Sequence, residues 1–382
     1  MYLLEHDAKE LLAAQGVPVP AGVLIEDASA VPATALPRAP WVVKGQISAG
    51  GRGKAGLIRK AATPAEALAH TAAILGVTLS GRRVGAVRVE EAVSGGRECY
   101  FGLLLDPATG RVRVILSARG GMDIEQVPRE QILSGDAQPT AASLTACVQR
   151  LAHNLPPDVA PAIRNAAVPL CRAFAGLEAL LLEINPLFVR ADGTWVAGDA
   201  KIVSDDNALP RQPELRNLLE RRSHAYPEAA FKLEHGFDYV VVDERGEIGL
   251  LTTGAGLSMM LIDELREAGL KPYNFLDIRT GGLRGETGRL VQVLERIAQG
   301  RNVRVLLVNI FAGITDLGEF ARLLIAALAQ VPQLKVPVVA RLVGNGLPAA
   351  RATLDAAGIK LHTDLDEALA AVRQHLSKPK TT

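Results

Sequence analysis

The chain has 382 residues, enough for two or three domains, and its 48% hydrophobic and 22% charged residues are ordinary for a soluble globular protein. Lys plus Arg number 42 against 41 Asp plus Glu, so a formal charge of +1 supplies no global field toward nucleic acid or an anionic membrane. No run approaches the ~18 apolar residues of a membrane span, the N-terminus lacks the pattern of a signal peptide, and Cys99, Cys147 and Cys171 stand too far apart for a disulfide framework or zinc knuckle. A cytoplasmic multidomain enzyme is expected, with neither nucleic acid nor membrane as partner.

Leu4, Ala8, Leu11 and Leu12 recur at helical spacing, and Gly16, Pro18 and Pro20 end that helix. Residues 41–44 read as a short apolar strand that runs into a glycine-rich loop, 50–56. Thr63-Pro64-Ala65-Glu66 is a capping box with proline at the first helical position, and Gly76 closes the helix. Residues 84–93 and 99–105 read as strands, and 106–110 turns the second into 111–117. The stretch 126–160 is looser and gives no definite element. A helix to about Phe174 follows, and a hairpin occupies 180–203. After about residue 235 short apolar strands, at 239–242, 248–252, 273–278, 303–309 and 336–341, alternate with helix-like stretches. That is the pattern of a doubly wound α/β domain with a parallel sheet. The change of pattern near 232–237 divides the chain into domains of 1–234 and 235–382.

Three groups of residues carry chemistry. In Gly50-Gly51-Arg52-Gly53-Lys54-Ala55-Gly56 the glycines let backbone N–H groups approach phosphate oxygens, and Lys44, Arg52 and Lys54 supply positive charge. The spacing is not that of a Walker A loop, and a solvent loop with Lys44 snorkelling from its strand is the competing reading. In the hairpin, a three-residue loop Ala191-Asp192-Gly193 sets Asn185 opposite Asp199 and Glu183 opposite Lys201. Period two then puts all four on one face of otherwise apolar strands, the composition of a hard-cation site for Mg²⁺ and phosphate. A salt-bridged Glu183–Lys201 pair is the alternative. In the second half, loops at 254–256, 279–282, 311–315 and 344–346 follow strand carboxyl ends, where α/β sheets bind ligands and helix N-termini face anions. Thr315 or Asp316 is expected to cap the next helix, with Glu319 completing a capping box.

Trp41-Val-Val-Lys44, Ala49-Gly-Gly-Arg-Gly-Lys-Ala-Gly56, Leu182-Glu-Ile-Asn-Pro-Leu187, Asn207-Ala-Leu209, Arg211-Gln-Pro213, Asn274-Phe-Leu-Asp277 and Val308-Asn-Ile-Phe-Ala-Gly-Ile314 resemble the β subunits of ADP-forming succinate–CoA ligases and close carboxylate–CoA ligase relatives such as malate–CoA ligase. The resemblance covers nearly the whole chain. It implies an ATP-grasp domain followed by a flavodoxin-like doubly wound α/β ligase domain. It also implies a heteromeric acid–thiol ligase that uses Mg²⁺, ATP and a carboxylate. The partner α subunit holds CoA and carries the histidine that is phosphorylated.

By the same resemblance Lys44, Gly51, Arg52 and Gly53 hold the triphosphate, and Glu90, Val93 and Glu98 lie along adenine and ribose. Asn185 and Asp199 are the Mg²⁺ ligands, and Glu183 steadies the phosphohistidine. Gly313, Ile314 and Thr315 take phosphate and the carboxylate. Pro20 is similar to ATP-using rather than GTP-using members. Three departures fall on the ligand loops: Thr253 where the family usually has Asn, Arg279 within a usual glycine run, and Ser48 for a usual His. An added arginine would clamp a second carboxylate or block the pocket. Succinate is the expected acid, with malate, citrate or a similar acid as the alternative. Two other readings stand beside it: an ATP-grasp ligase joining a carboxylate to an amine unaided, and a nucleotide-binding regulatory subunit.

Overall fold

The computed structural model describes residues 1–29, 33–278, 285–313 and 315–378. It divides into two compact units, Met1–Ala225 and Tyr226–Thr382. The first unit opens with α1 (Glu5–Ala14). A four-stranded antiparallel sheet follows in the order β1-β6-β2-β3, made of β1 (Gly22–Ile25), β2 (Trp41–Gln46), β3 (Ile58–Ala61) and β6 (Ala86–Glu91). A small hairpin, β4 (Thr78–Leu79) and β5 (Arg82–Arg83), precedes β6. Trp41, Val43, Val87 and Val89 bury one face of the sheet beneath Ala67 and Ile74 of α2 (Pro64–Ile74). The capping box is realised: Thr63 accepts from the Glu66 N–H and Glu66 reaches back to the Thr63 N–H.

The larger sheet runs β11-β10-β7-β8-β9, with β12 also paired to β10. Its strands are β7 (Arg97–Asp106), β8 (Arg111–Ser117), β9 (Leu133–Ala137), β10 (Ala179–Val189), β11 (Trp195–Ala197) and β12 (Lys201–Ser204). Between β9 and β10 lie α3 (Ala141–Ala152) and α4 (Ala160–Gly176), and α5 (Pro213–Arg221) follows β12. The region without a definite element in the sequence thus holds a strand and a helix. Strand β9 is Leu-Ser-Gly-Asp-Ala and takes its extended form from pairing with β8. Helix α3 buries Leu144, Cys147, Val148 and Ala152, so small side chains weaken its apolar stripe. The β10 hairpin has the expected register: Glu183 pairs with Lys201 and Leu187 with Ala197. Its loop closes by the Gly193 N–H to the Arg190 carbonyl, with Gly193 at φ +78°, a left-handed residue as the turn requires.

In the second unit α6 (Pro227–His235) comes first, and its Phe231 packs on Phe237 and Tyr239. That contact draws α6 into the second core, so the unit begins nine residues before the change of pattern at 235. Strands β14 (Ile248–Thr252), β16 (Val305–Ala312), β17 (Val338–Gly344) and β18 (Leu361–His362) form a parallel sheet in that order. Beyond β14 lies β15 (Asn274–Asp277), which pairs antiparallel with β13 (Asp238–Val241). The fully buried Asn274 amide joins β15 to β14, accepting from the Leu250 N–H at 2.9 Å and donating to its carbonyl at 2.8 Å. Counted from β14, the order is the 2-1-3-4-5 of a flavodoxin-like sheet. Helices α7 (Ala255–Glu267) and α11 (Leu365–Ser377) bury their apolar faces in one core cluster. Those of α8 (Gly288–Ala298), α9 (Leu317–Gln330) and α10 (Leu347–Ala356) enter the other. The unit is doubly wound.

Candidate nucleotide site and ligand loops

Strands with apolar cores ordinarily hide no charge, yet β2 buries Lys44 and β6 buries Arg88 and Glu90, while α1 buries Glu5 and Lys9. These groups form one network. The Lys44 Nζ lies 2.8 Å from Glu5 Oε1 and 2.7 Å from Glu90 Oε1, and donates to the Gly198 carbonyl at 2.7 Å. The Lys9 Nζ lies 2.7 Å from both Glu5 Oε1 and Glu90 Oε2, and 2.9 Å from the same Gly198 carbonyl. From the glycine-rich loop Arg52 reaches Glu5 Oε2 at 2.7 Å and Asp199 Oδ2 at 2.8 Å. Arg88 donates to Glu90 at 2.6 Å and lies 2.7 Å from His6 Nδ1. A guanidinium cannot accept, so His6 Nδ1 is the acceptor and the imidazole is neutral, with its proton on Nε2 facing Glu10 at 3.2 Å. Burial and Arg88 both push the His6 pKa down, in agreement.

Four cations therefore face three carboxylates where desolvation is costly. Burial alone would push the Glu5 carboxyl up, but Lys44, Lys9 and Arg52 hold it well below the usual carboxylate range. Glu90 is depressed by Lys44 and Lys9 against the same burial. Burial pushes Lys9 down, whereas Glu5 and Glu90 overcome it at Lys44 and raise that amine. The cluster carries one more cation than carboxylates, and its Arg52 belongs to the loop itself. Among the described residues, the backbone N–H groups of Gly51, Arg52, Gly53 and Lys54 meet no protein acceptor. A Cβ at Gly51 or Gly53 would touch nothing within 4 Å, so the space over the loop is open. Amides, surplus cation and open space are what a polyanion needs. Glu90, expected along adenine and ribose, is instead 2% exposed with its oxygens given to Lys9, Lys44 and Arg88.

The hairpin pairs Glu183 with Lys201 and Leu187 with Ala197, whereas Asn185 and Asp199 lie where the ladder is interrupted. Burial raises the Glu183 carboxyl pKa, against Lys201 3.8 Å away and with Asp199 adding to the rise. Asn185 faces the loop that follows β8. Its Oδ1 accepts from the Gly121 N–H at 2.7 Å, and its Nδ2 donates to the Met122 carbonyl at 2.9 Å. The same loop is tied to β7 by the Gly120 N–H to the Glu98 carbonyl at 2.9 Å. Gly121 has φ +73°, and a Cβ there would run into the Glu98 carboxylate. The Gly120-Gly121 pair is the sequence signal of that loop. Glu98 is exposed on β7, and Val93 is half-buried in the link before it. The Asp199 carboxylate and the second lone pair of Asn185 Oδ1 are hard oxygen donors. Asp199 already neutralises a cation, Arg52, so this donor set fits Mg²⁺ completed by phosphate and water.

In the second unit the ligand-facing edge is partly filled by the chain itself. Half-buried Thr253 leads from β14 to Gly254, whose N–H donates to Asp277 Oδ1 at 2.8 Å. Asp316, rather than Thr315, caps α9 by accepting from the Glu319 N–H at 2.8 Å. The Asn345 amide donates to the Gly313 carbonyl at 3.1 Å and joins the loops after β16 and β17. Gly313 is exposed and Thr315 half-buried; Arg279 and Ile314 lie outside the described residues.

Comparison with known proteins agrees with this division. Residues 2–189 match the ATP-grasp domain model and residues 251–374 the CoA-ligase model. The chain is 42% identical over 362 residues, 93% of each protein, to the succinate–CoA ligase [ADP-forming] subunit beta of Chloroflexus aurantiacus. It is 38% identical over 391 residues, 97% of this chain and 98% of the relative, to the succinate–CoA ligase [GDP-forming] subunit beta of Thermus thermophilus. A solved ATP citrate lyase from Methanothrix soehngenii, in complex with citrate and coenzyme A, superposes with a TM-score of 0.74 at 18% identity. The match covers 98% of this chain and 99% of that one, a likeness of fold.

Proposed function

The chain belongs to the succinate–CoA ligase β-subunit family, ADP-forming acid–thiol ligases, and from that premise we propose how its residues divide the reaction. Mg-ATP, a carboxylate and CoA become acyl-CoA, ADP and phosphate, and the γ-phosphoryl group passes through a histidine on an α subunit that holds CoA. Succinate is the acid. The observation that supports this reading is the largely buried cluster of four cations and three carboxylates beside an open glycine loop.

In this reading Lys44, Arg52 and the amides of Gly51 and Gly53 hold the triphosphate, and Glu90 backs Lys44. Val93 and Glu98 lie along adenine and ribose. Asn185 and Asp199 would hold Mg²⁺, which would supply charge neutralisation for the phosphoryl transfer. Glu183 accepts a hydrogen bond from the incoming imidazole and steadies it. Thr253, Arg279, Gly313, Ile314 and Thr315 receive the carboxylate and phosphate at the second unit's loops.

The test is ADP release by the chain with its α-type partner, given Mg-ATP and CoA and, in turn, succinate, malate, citrate and a monocarboxylate. CoA-dependent turnover that favours succinate is expected. A preference for malate or citrate would replace the acid and assign it to the substitutions at Thr253 and Arg279. Mg-ATP binding without turnover on any acid would overturn the ligase reading in favour of a regulatory subunit.

A further inference from the structure

Glu5 and Lys9, one turn apart on α1, hold none of the roles above, yet they are 4% and 0% exposed at the centre of the charged network. The two oxygens of Glu5 are divided between two sources of charge. Oε1 takes Lys44 at 2.8 Å, with Lys9 on its other side, and Oε2 takes Arg52 at 2.7 Å. Among the described residues Glu5 is the one group bonded to both Lys44 and Arg52. Glu90 meets Lys44 but not Arg52, and Asp199 meets Arg52 but not Lys44. We propose that Glu5 is the positioning residue of the triphosphate site, setting Lys44 and Arg52 in register with one another, and that Lys9 is the counter-cation that fixes Glu5.

The inference rests on the assignment of Lys44 and Arg52 to the triphosphate. Both have long stems with many rotamers, and a shared carboxylate settles their entropy before the ligand arrives. Lys9 holds the carboxylate in turn. Its three donors go to Glu5, Glu90 and the Gly198 carbonyl, so it also ties α1 to the residue preceding Asp199. Without Glu5, four cations would face two carboxylates, and Lys44 and Arg52 would repel without an anchor between them. Because these two cations meet only phosphates, the effect should grow with the number of phosphates on the ligand.

Calorimetric titration of the chain with its α-type partner, using Mg-AMPPNP, Mg-ADP and AMP, tests this. If the unaltered complex binds none of them, the nucleotide reading itself fails. If it binds, Glu5→Gln should weaken Mg-AMPPNP at least about tenfold, weaken Mg-ADP less, and leave AMP unchanged. The KM for ATP should rise while the KM for CoA stays fixed. An equal loss for AMP and AMPPNP would reduce Glu5 to a structural role, and unchanged or tighter AMPPNP binding would overturn the proposal outright. Should Glu5→Gln not fold, Glu5→Asp keeps the charge but stops one methylene short of Arg52. About threefold weaker AMPPNP binding with unchanged AMP binding is then expected, and unaltered affinity for both overturns the proposal.

Discussion

The two units place glycine loops at the ends of strands, but they treat charge in opposite ways. In the first, Lys9, Lys44 and Arg88 are buried and Arg52 half-buried against Glu5, Glu90 and Asp199, an excess of one cation beside four backbone amides that meet no acceptor among the described residues. In the second, acids are turned onto the chain's own amides: Asp277 on the Gly254 N–H and Asp316 on the Glu319 N–H. Glycine serves different ends in the two places. The open space over Gly51 and Gly53 leaves room for a ligand, whereas Gly344 is needed because a Cβ would strike the Ala312 backbone. A glycine at a strand end can therefore serve ligand access in one place and chain geometry in another.

The contrast can be broken by experiment, beginning where the effect is largest. Lys44→Met keeps the stem and removes the charge, and kcat/KM for ATP should fall by about 10²–10³, read by initial rates. A fall below tenfold would mean the cluster serves folding alone. Next, Gly121→Ala forces a left-handed alanine against Glu98 and displaces the loop bound to Asn185. The strain predicts about tenfold weaker Mg-nucleotide binding, measured by calorimetry. Asn274→Leu should act on the second unit only. It strands the Leu250 N–H and carbonyl in the sheet and costs about 2–4 kcal/mol in a chemical denaturation, with nucleotide affinity unchanged. The smallest effect belongs to Lys54→Ala. Its 2.6 Å pair with Asp123 is solvent-exposed, so nucleotide affinity should move by less than about twofold.

Much of this was legible because the relevant signals are local. The Thr63 capping box and the Ala191-Asp192-Gly193 turn depend on residues within a few positions of one another. The turn then sets the register that pairs Glu183 with Lys201. The antiparallel pairing of β13 with β15 was not legible, because a run of apolar residues carries no strand direction. Nor was β9, whose small and polar residues become a strand only against β8. The charged network was half legible. Lys44 and Arg52 stand out by their loop, but nothing in the helical spacing of Glu5 and Lys9 distinguishes them from a solvent-facing i,i+4 pair. Only the packing of α1 against the four-stranded sheet shows that the charged stripe of that helix faces inward. The role of the Gly120-Gly121 loop is not legible for the same reason, since Asn185 lies 64 residues away in sequence.

The most direct test of the central claim follows the phosphoryl group itself. The chain, with its α-type partner, is mixed with ATP labelled at the γ position and Mg²⁺, without CoA or acid, and acid-labile label on the partner's histidine is counted. The unaltered chain should label the partner, and Asp199→Asn, which removes the carboxylate that Arg52 now holds and Mg²⁺ would occupy, should reduce labelling by about 10² or more. Full labelling with Asp199→Asn, or none with an unaltered chain that binds Mg-ATP, would contradict the account.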